Sequence, residues 1–150
     1  MSELDTKTLV WTIPAERAKN SREHRVPLST QAWRIIATQP RIVGCPYVFT
    51  NAGRTPVRAW DEIKKSVSAR AGLEEKTWRL HDLRRTAAAG MQRLGVRVEV
   101  IERALNHRSG GFAGIVGTYQ VDLLEPEVRA ALQTWADYVE GLLASKTDGP

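Results

Sequence analysis

The chain has 150 residues, of which 42% are hydrophobic and 26% charged, and its formal net charge is +5. This length and composition suit one folded domain with a core and argue against a disordered chain. The sequence contains no run of about 18 apolar residues, so it predicts no membrane span. The positive charge favours a polyanionic partner such as nucleic acid, and the single cysteine excludes an internal disulfide and fits a reducing cytoplasm.

The first part of the chain predicts a β-hairpin with a basic tip. Residues 9–13 read as a strand with Leu9, Trp11 and Ile13 on one face, and Pro14 ends it. Residues 15–24 form a polar, basic loop, and residues 25–28 read as the returning strand. His24, on this hairpin, is expected to be exposed.

The rest of the chain is predicted to be mainly helical. We expect a short strand at 47–49, a short helix or turn over 113–120, and helices over 30–39, 56–71, 81–94 and 98–105 and from Pro126 onward. Gly72 and Gly95 are expected to end the second and third of these helices. The predicted fold class is mainly α (α+β), with a small antiparallel β-hairpin or sheet near the N-terminus.

Apolar spacing predicts which helix faces are buried. In the second helix the predicted inner stripe contains Trp60, Ile63, Val67 and Ala71. In the third helix the predicted core stripe contains Leu83, Ala87, Met91 and Leu94. His81, Arg84 and Ala88 are predicted to lie on a different stripe, so that His81 and Arg84 would not compete with the core for space.

The most informative motif is His81-Asp-Leu-Arg84, which is followed by His107 and then by Tyr119. A His and an Arg three residues apart project from one side of a helix. Arginine binds phosphate oxygens in a bidentate manner, and tyrosine can be a covalent nucleophile. Lys19, on the upstream hairpin, would give a departing oxygen its proton. With no metal-ligand cluster nearby, these residue types suit a phosphodiester better than a peptide or a sugar.

Four landmarks in this order make the chain resemble the catalytic domain of tyrosine recombinases, in particular the integrases of phages and integrative elements. Lys19 lies on the hairpin in IPAERAKNSREHRVPLS, and HDLRRT at 81–86 is similar to the second arginine motif of that family. LNHRSGG at 105–111 is similar to its third motif, and GIVGTYQ at 114–120 contains the tyrosine. The resemblance covers residues 9–143 and implies a cytoplasmic protein of bacterial or phage origin.

The resemblance implies a role for each of these side chains in cutting a DNA strand. Tyr119 would attack a backbone phosphate and form a 3′-phosphotyrosyl link, leaving a free 5′-hydroxyl. Arg84 would bind nonbridging oxygens and stabilise the charge that develops on phosphorus, and His107 would donate to such an oxygen. His81 would orient or deprotonate the nucleophile or bond a phosphate oxygen. Lys19 would protonate the 5′ leaving oxygen.

Each of these residues also has a purely structural reading, which the sequence leaves open. Arg84 would then form a surface salt bridge, His81 and His107 would be packed histidines, and Lys19 would be a solvated loop lysine. Two rival tyrosines are expected to be structural. Tyr138 lies on an apolar stripe and is predicted to be in the core, and Tyr47 falls in the predicted strand.

The expected partners follow from the charge and from the resemblance. Arg17, Arg22, Arg25 and Arg85 are expected to contact DNA phosphates, so double-stranded DNA is the predicted partner. Other recombinase protomers are a second expected partner, because family members exchange C-terminal segments and residues 126–145 are amphipathic enough to pack in cis or in trans. The sequence predicts no membrane association, no metal, no nucleotide and no other cofactor, since it carries neither a phosphate loop nor a ligand pattern.

The chain departs from the family pattern in one respect. Family catalytic domains carry another arginine in a helix before the lysine hairpin, and no residue before Leu9 can take that role. We therefore interpret residues 1–150 as the C-terminal part of a catalytic domain, without the first arginine motif and the N-terminal DNA-clamping domain. This predicts a chain that binds DNA but is weakly active or inactive alone. Two alternatives are a non-catalytic DNA-binding remnant and a relaxing enzyme similar to type IB topoisomerases.

Overall fold

The structure, a computed structural model, describes residues 3–74, 77–107 and 124–147. Its N-terminal part is an antiparallel sheet of β1 (Leu4–Asp5), β2 (Val10–Ile13) and β3 (His24–Pro27), in that spatial order. The pairing of β2 with β3 places Ile13 opposite His24. The predicted hairpin is thereby confirmed. The strand β1 has no counterpart in the prediction, because so short a strand carries no readable alternation.

Helices make up most of the remaining structure, and local signals set their ends. They are α1 (Thr30–Ala37), α2 (Trp60–Arg70), α3 (Leu80–Arg93), α4 (Val98–Ala104) and α5 (Glu125–Thr147). Ser29 caps α1, since its Oγ accepts a hydrogen bond from the backbone N of Ala32 at 3.2 Å. Gly72 and Gly95 follow α2 and α3 with φ of 63° and 83°, the left-handed conformation that ends a helix. The chain is therefore mainly α with a small sheet, as predicted.

The predicted strand over 47–49 is wrong. The chain forms a second small hairpin just after it, from β4 (Thr50–Asn51) and β5 (Thr55–Pro56). Ala52 and Gly53, between these strands, have φ of 54° and 75°, and positive φ at both central residues is what a type I′ turn requires. The turn therefore decides where the strands lie, and the apolar run before it stays outside them.

The core lies where α3, α4 and α5 meet. Its buried members are Met91, Val100, Ile101, Ala104, Val128 and Ala131. Trp135 of α5 packs against this cluster directly over Gly90 of α3, where an added Cβ would lie 2.1 Å from Cζ3 of the indole ring. The close approach of α3 and α5 therefore requires glycine at this position.

The predicted inner stripe of α2 is exposed. Trp60, Ile63 and Val67 are 54%, 38% and 47% exposed. The buried residue of this helix is instead Ser68, whose Oγ accepts a hydrogen bond from Nε1 of Trp78 at 2.9 Å. Apolar spacing located one face of the helix, but the contact with Trp78 turns the other face inward.

The predicted core stripe of α3 is also partly wrong. Leu83 and Leu94 are 60% and 38% exposed, so the two ends of the predicted stripe do not pack into the core. The face that packs into the core runs through Ala88 and Met91. Arg84 is one turn before Ala88 on this same face, not on a separate stripe, and it is half-buried where the core ends.

Polar contacts hold α1 against α5 within the same chain. Nε2 of Gln31 donates to a carboxylate oxygen of Asp137 at 2.8 Å, and Arg34 forms an ion pair of 3.0 Å with Glu140. The amide donors of Gln31 and Gln133 hold the pKa of Asp137 below its ordinary value. The N-terminal half of α5 also packs on the core of the same chain. None of the helices in the described part of the chain has the length and apolar character that crossing a membrane demands.

Candidate active site

Arg84 and His107 form the centre of the candidate site. Nε of Arg84 donates a hydrogen bond of 3.2 Å to Nε2 of His107. Arg84 projects from the first half of α3, and His107 follows α4, so the contact joins two helices. In this contact Nε2 of His107 is the acceptor, so its lone pair faces the guanidinium of Arg84.

The C-terminal cap of α4 presents His107. Asn106 has a φ of 51°, the left-handed conformation that asparagine tolerates after a helix. The backbone N of Asn106 donates to the carbonyl of Arg103 at 3.1 Å, and that of His107 donates to the carbonyl of Glu102 at 2.8 Å. These two bonds form a Schellman motif. His107 is therefore held by a hydrogen-bonded cap rather than by a free loop.

The hairpin that carries Lys19 is attached to this cap. Nδ2 of Asn20 donates to Oδ1 of Asn106 at 2.9 Å. Lys19 precedes Asn20, and His107 follows Asn106. The hydrogen bond therefore brings the backbone of Lys19 near that of His107, while the Lys19 side chain stays exposed.

Of the other two predicted catalytic residues, His81 and Tyr119, the structure describes only His81. His81 is exposed in the first turn of α3, three residues before Arg84, so both project from neighbouring positions on one helix. Tyr119 lies outside the described residues. The structure therefore brings Arg84, His107 and the Lys19 loop together and places His81 on the same helix as Arg84.

The expectation that His24 is exposed is wrong. Its side chain is only 5% exposed, between β3 and the end of α4. Burial lowers the pKa of His24, the nearby Arg103 lowers it further, a hydrogen bond with the Ala104 backbone acts in the opposite direction, and the charge of Arg84 lowers it slightly. The lowered pKa of His24 favours its neutral ring. No signal in the sequence indicated its burial beyond its place next to the predicted strand at 25–28.

Three of the four predicted DNA-binding arginines take part in ion pairs. Arg17 bonds Glu3, Arg25 pairs with Glu125 at 3.4 Å, and Arg85 pairs with Asp82 at 3.3 Å. The fourth, Arg22, is exposed on the hairpin loop. Exposed ion pairs contribute little to stability, so these arginines retain the freedom to exchange a carboxylate for a phosphate.

The two rival tyrosines are exposed. Tyr138 is 45% exposed and stacks on Trp135, with ring centroids 5.6 Å apart, so its predicted place in the core is wrong. It lies in the second half of α5, beyond the part of the helix that packs on the core. Tyr47 is 43% exposed and is not in a strand.

In the described part of the chain, a cavity lies apart from Arg84 and His107. An open cavity of about 770 Å³ lies between the hairpin and α5, where Arg25, Glu125 and Gln133 contribute to its walls. Within residues 3–74, 77–107 and 124–147, His, Cys, Asp and Glu side chains form no group of three that could hold a metal ion. Lys19, His81 and His107 are exposed and Arg84 is half-buried, so the candidate site is a surface set of cationic and imidazole groups.

A mainly helical domain that places an Arg–His pair beside a lysine-bearing hairpin has the arrangement expected of a tyrosine recombinase catalytic domain. Sequence comparison confirms the family: the pattern of the phage integrase family matches residues 1–116, most of the chain, and the protein belongs to that family. The matched range contains Lys19, His81, Arg84 and His107 and ends before Tyr119.

Two curated relatives are similar over nearly the whole chain. Prophage integrase IntA of Escherichia coli (strain K12) is 31% identical over 92% of this chain and 33% of its own length. The putative protein IntB of the same organism is 26% identical over 93% of this chain and 39% of its own length. The chain therefore spans between a third and two fifths of the length of these relatives. No solved structure matches it significantly.

Proposed function

We propose that this chain is part of a recombinase catalytic domain that cuts and rejoins DNA strands in site-specific integration or excision. The observation that carries the proposal is the hydrogen bond between Arg84 and His107, which joins the two family motifs in space. Membership of the phage integrase family supports the reaction class. The net charge of +5 supports double-stranded DNA as the substrate.

The proposed reaction is a phosphoryl transfer to Tyr119. A bond forms between the phenolic oxygen and the DNA phosphorus while the bond from phosphorus to the 5′ oxygen breaks. The phenol proton passes to His81, and Lys19 gives its proton to the departing 5′ oxygen. The phosphotyrosyl ester stores the energy of the broken bond, so a second 5′-hydroxyl can reverse the step without ATP.

Arg84 would bind the phosphate through the Nη side of its guanidinium. Its Nε already donates to His107, which fixes the plane of the group, and the two Nη atoms supply parallel donors for nonbridging oxygens. For His107 itself to donate to the phosphate from Nε2, the ring must leave Arg84 and take up a proton there. His107 therefore orients Arg84 before DNA binds and becomes a direct donor only after this change.

A second candidate function is DNA binding without strand cutting. The exposed basic side chains of the hairpin loop, among them Lys19 and Arg22, would support such binding on their own.

A covalent-capture experiment tests the proposed function. The chain is incubated with nicked duplexes of randomised sequence, in which the cut releases a short strand that diffuses away. A denaturant-resistant protein–DNA adduct is expected with the native chain, and none with Tyr119→Phe, while Tyr138→Phe serves as the matched control that retains the adduct. DNA binding with no adduct from any chain would favour the binding remnant.

A second substrate isolates the role of Lys19. Replacing the bridging 5′ oxygen by sulfur gives a thiolate leaving group that needs no proton. Lys19→Ala should slow the oxygen substrate by about 100-fold, the usual contribution of a general acid, and leave the sulfur substrate nearly unchanged. An equal loss of reaction rate on the oxygen and sulfur substrates would contradict the assignment of Lys19 as proton donor.

A further inference from the structure

The helices α2, α3 and α4 all end in the same way. In each of them the residue after the C-cap has positive φ, which is 63° at Gly72, 83° at Gly95 and 51° at Asn106. The N–H groups of this residue and of the next one donate to carbonyls in the last turn of the helix, which is the Schellman motif. Glycine is the usual residue here, because it takes the left-handed conformation without strain. Among these three helices, asparagine replaces glycine only at the end of α4.

Asn106 provides a side-chain acceptor at the end of α4, which a glycine would not. Its Oδ1 accepts the hydrogen bond of 2.9 Å from Nδ2 of Asn20, and both residues are half-buried. The amide of Asn20 faces inward, since its Oδ1 is buried as well. The two residues are 86 positions apart in the chain, so the bond joins the hairpin loop to the helix cap. A hydrogen bond that is partly shielded from water is stronger than an exposed one.

The loop that carries Lys19 is ordered by its own backbone. The N–H of Ala18 donates to the carbonyl of Pro14 at 3.1 Å, and that of Ser21 donates to the carbonyl of Ala18 at 2.9 Å. Lys19 and Asn20 are the two central residues of the second turn. An anchor on Asn20 therefore sets the place of the Lys19 backbone, while the Lys19 side chain stays exposed.

We propose that Asn20 and Asn106 form a clasp that holds the Lys19 loop against the helix cap carrying His107. The proposal rests on the proposed function in treating Lys19 as the proton donor of the reaction. Both asparagines are positioning residues, since neither touches a reacting atom in this account. Their effect on the reaction passes through the distance between Lys19 and the phosphate that Arg84 and His107 bind.

Single and double substitutions isolate the clasp. Asn106→Gly removes the acceptor and keeps the left-handed cap, because glycine ends α2 and α3 in the same motif. Asn20→Ala removes the donor. The double variant loses the same single bond, so it should react no more slowly than either single variant. Asn51→Ala is the matched control, because Asn51 is an exposed asparagine of β4, in the second small hairpin.

The diagnostic measurement is the rate of adduct formation on the oxygen and sulfur substrates. One hydrogen bond shifts an equilibrium by a factor of about 3 to 10, so Asn20→Ala and Asn106→Gly should each slow the oxygen substrate by about that factor. The sulfur substrate should react within about twofold of the native rate, since it needs no proton from Lys19. Asn51→Ala should leave both rates unchanged.

Equal slowing of both substrates, no slowing of either, or losses that multiply in the double variant would overturn the proposal. If the native chain forms no adduct on either substrate, the proposed function fails, and amide hydrogen exchange then decides whether the clasp holds the loop. The clasp predicts that exchange at Ser21 is about 3- to 10-fold faster in Asn20→Ala and in Asn106→Gly. Exchange at Val96, whose N–H closes the cap of α3 at 3.0 Å, should stay unchanged. Exchange at Ser21 equal to that of the native chain would overturn the proposal.

Discussion

Arg84 and His107 are 23 residues apart in the chain, yet Nε of the arginine lies 3.2 Å from Nε2 of the histidine. The contact depends on two separate structural features. The core-facing stripe of α3 sets the direction of Arg84, and the left-handed Asn106 cap sets the direction of His107. The site is thus built on the end of the core and not on an independent loop.

Replacing Arg84 by lysine tests this pair. Lysine keeps the charge but has neither the Nε–H donor for His107 nor parallel donors for a phosphate. We expect Arg84→Lys to lower the rate of adduct formation by about 10²–10³ with DNA affinity changed only a few-fold. Arg93→Lys, an exposed change on the same helix, is the control. An Arg84→Lys rate close to that of the control would contradict the assigned role.

The buried His24 predicts a pH dependence of stability. Its pKa is lower in the folded chain than the ordinary value of 6.5, so the unfolded chain binds more protons as pH falls through that region. The free energy of unfolding should therefore be fully retained above about pH 6.5 and should decrease as the pH falls toward the lowered value. Denaturant titrations at several pH values measure how steeply the free energy of unfolding changes with pH, and this dependence should be weaker in His24→Gln. An identical slope in that variant would contradict the assignment.

The close packing of Trp135 over Gly90 predicts that one added methyl group at this position lowers the free energy of unfolding. A Cβ at this position would lie 2.1 Å from Cζ3 of Trp135, so Gly90→Ala must displace the ring from the core and should cost about 1–3 kcal/mol. Gly141→Ala is the control, because nothing lies within 4 Å of a Cβ there. In a helix interior that change should stabilise by about 1 kcal/mol. Thermal or denaturant unfolding compares the stability of the two variants. Similar changes in the free energy of unfolding for Gly90→Ala and Gly141→Ala would argue against the packing of α3 on α5.

DNA binding should be strongly salt-dependent. If Lys19 and the neighbouring arginines neutralise about five phosphates, log K should fall against log salt with a slope of about −4 to −5. Fluorescence anisotropy with a short duplex at several salt concentrations measures the slope. Binding that is nearly independent of salt would contradict a phosphate-contacting surface.

The sequence was a good guide where a local signal decides the structure. Glycines marked the ends of α2 and α3, the apolar run at 9–13 indicated β2, and the order of Lys19, Arg84 and His107 indicated the family. It failed where a neighbouring element decides. The rotation of α2 depends on the contact of Ser68 with Trp78, and the burial of His24 depends on how the hairpin docks on α4. Neither contact leaves a periodic signal in the chain.

The most direct test of the central claim is to identify the residue that carries DNA in the captured adduct. The adduct is digested with nuclease and protease, and mass spectrometry locates the peptide that bears the residual nucleotide. The account predicts a phosphotyrosyl link at Tyr119 that is lost in Tyr119→Phe and strongly reduced in Arg84→Lys. A nucleotide on Tyr138 or Tyr47, or an adduct indifferent to Arg84, would contradict it.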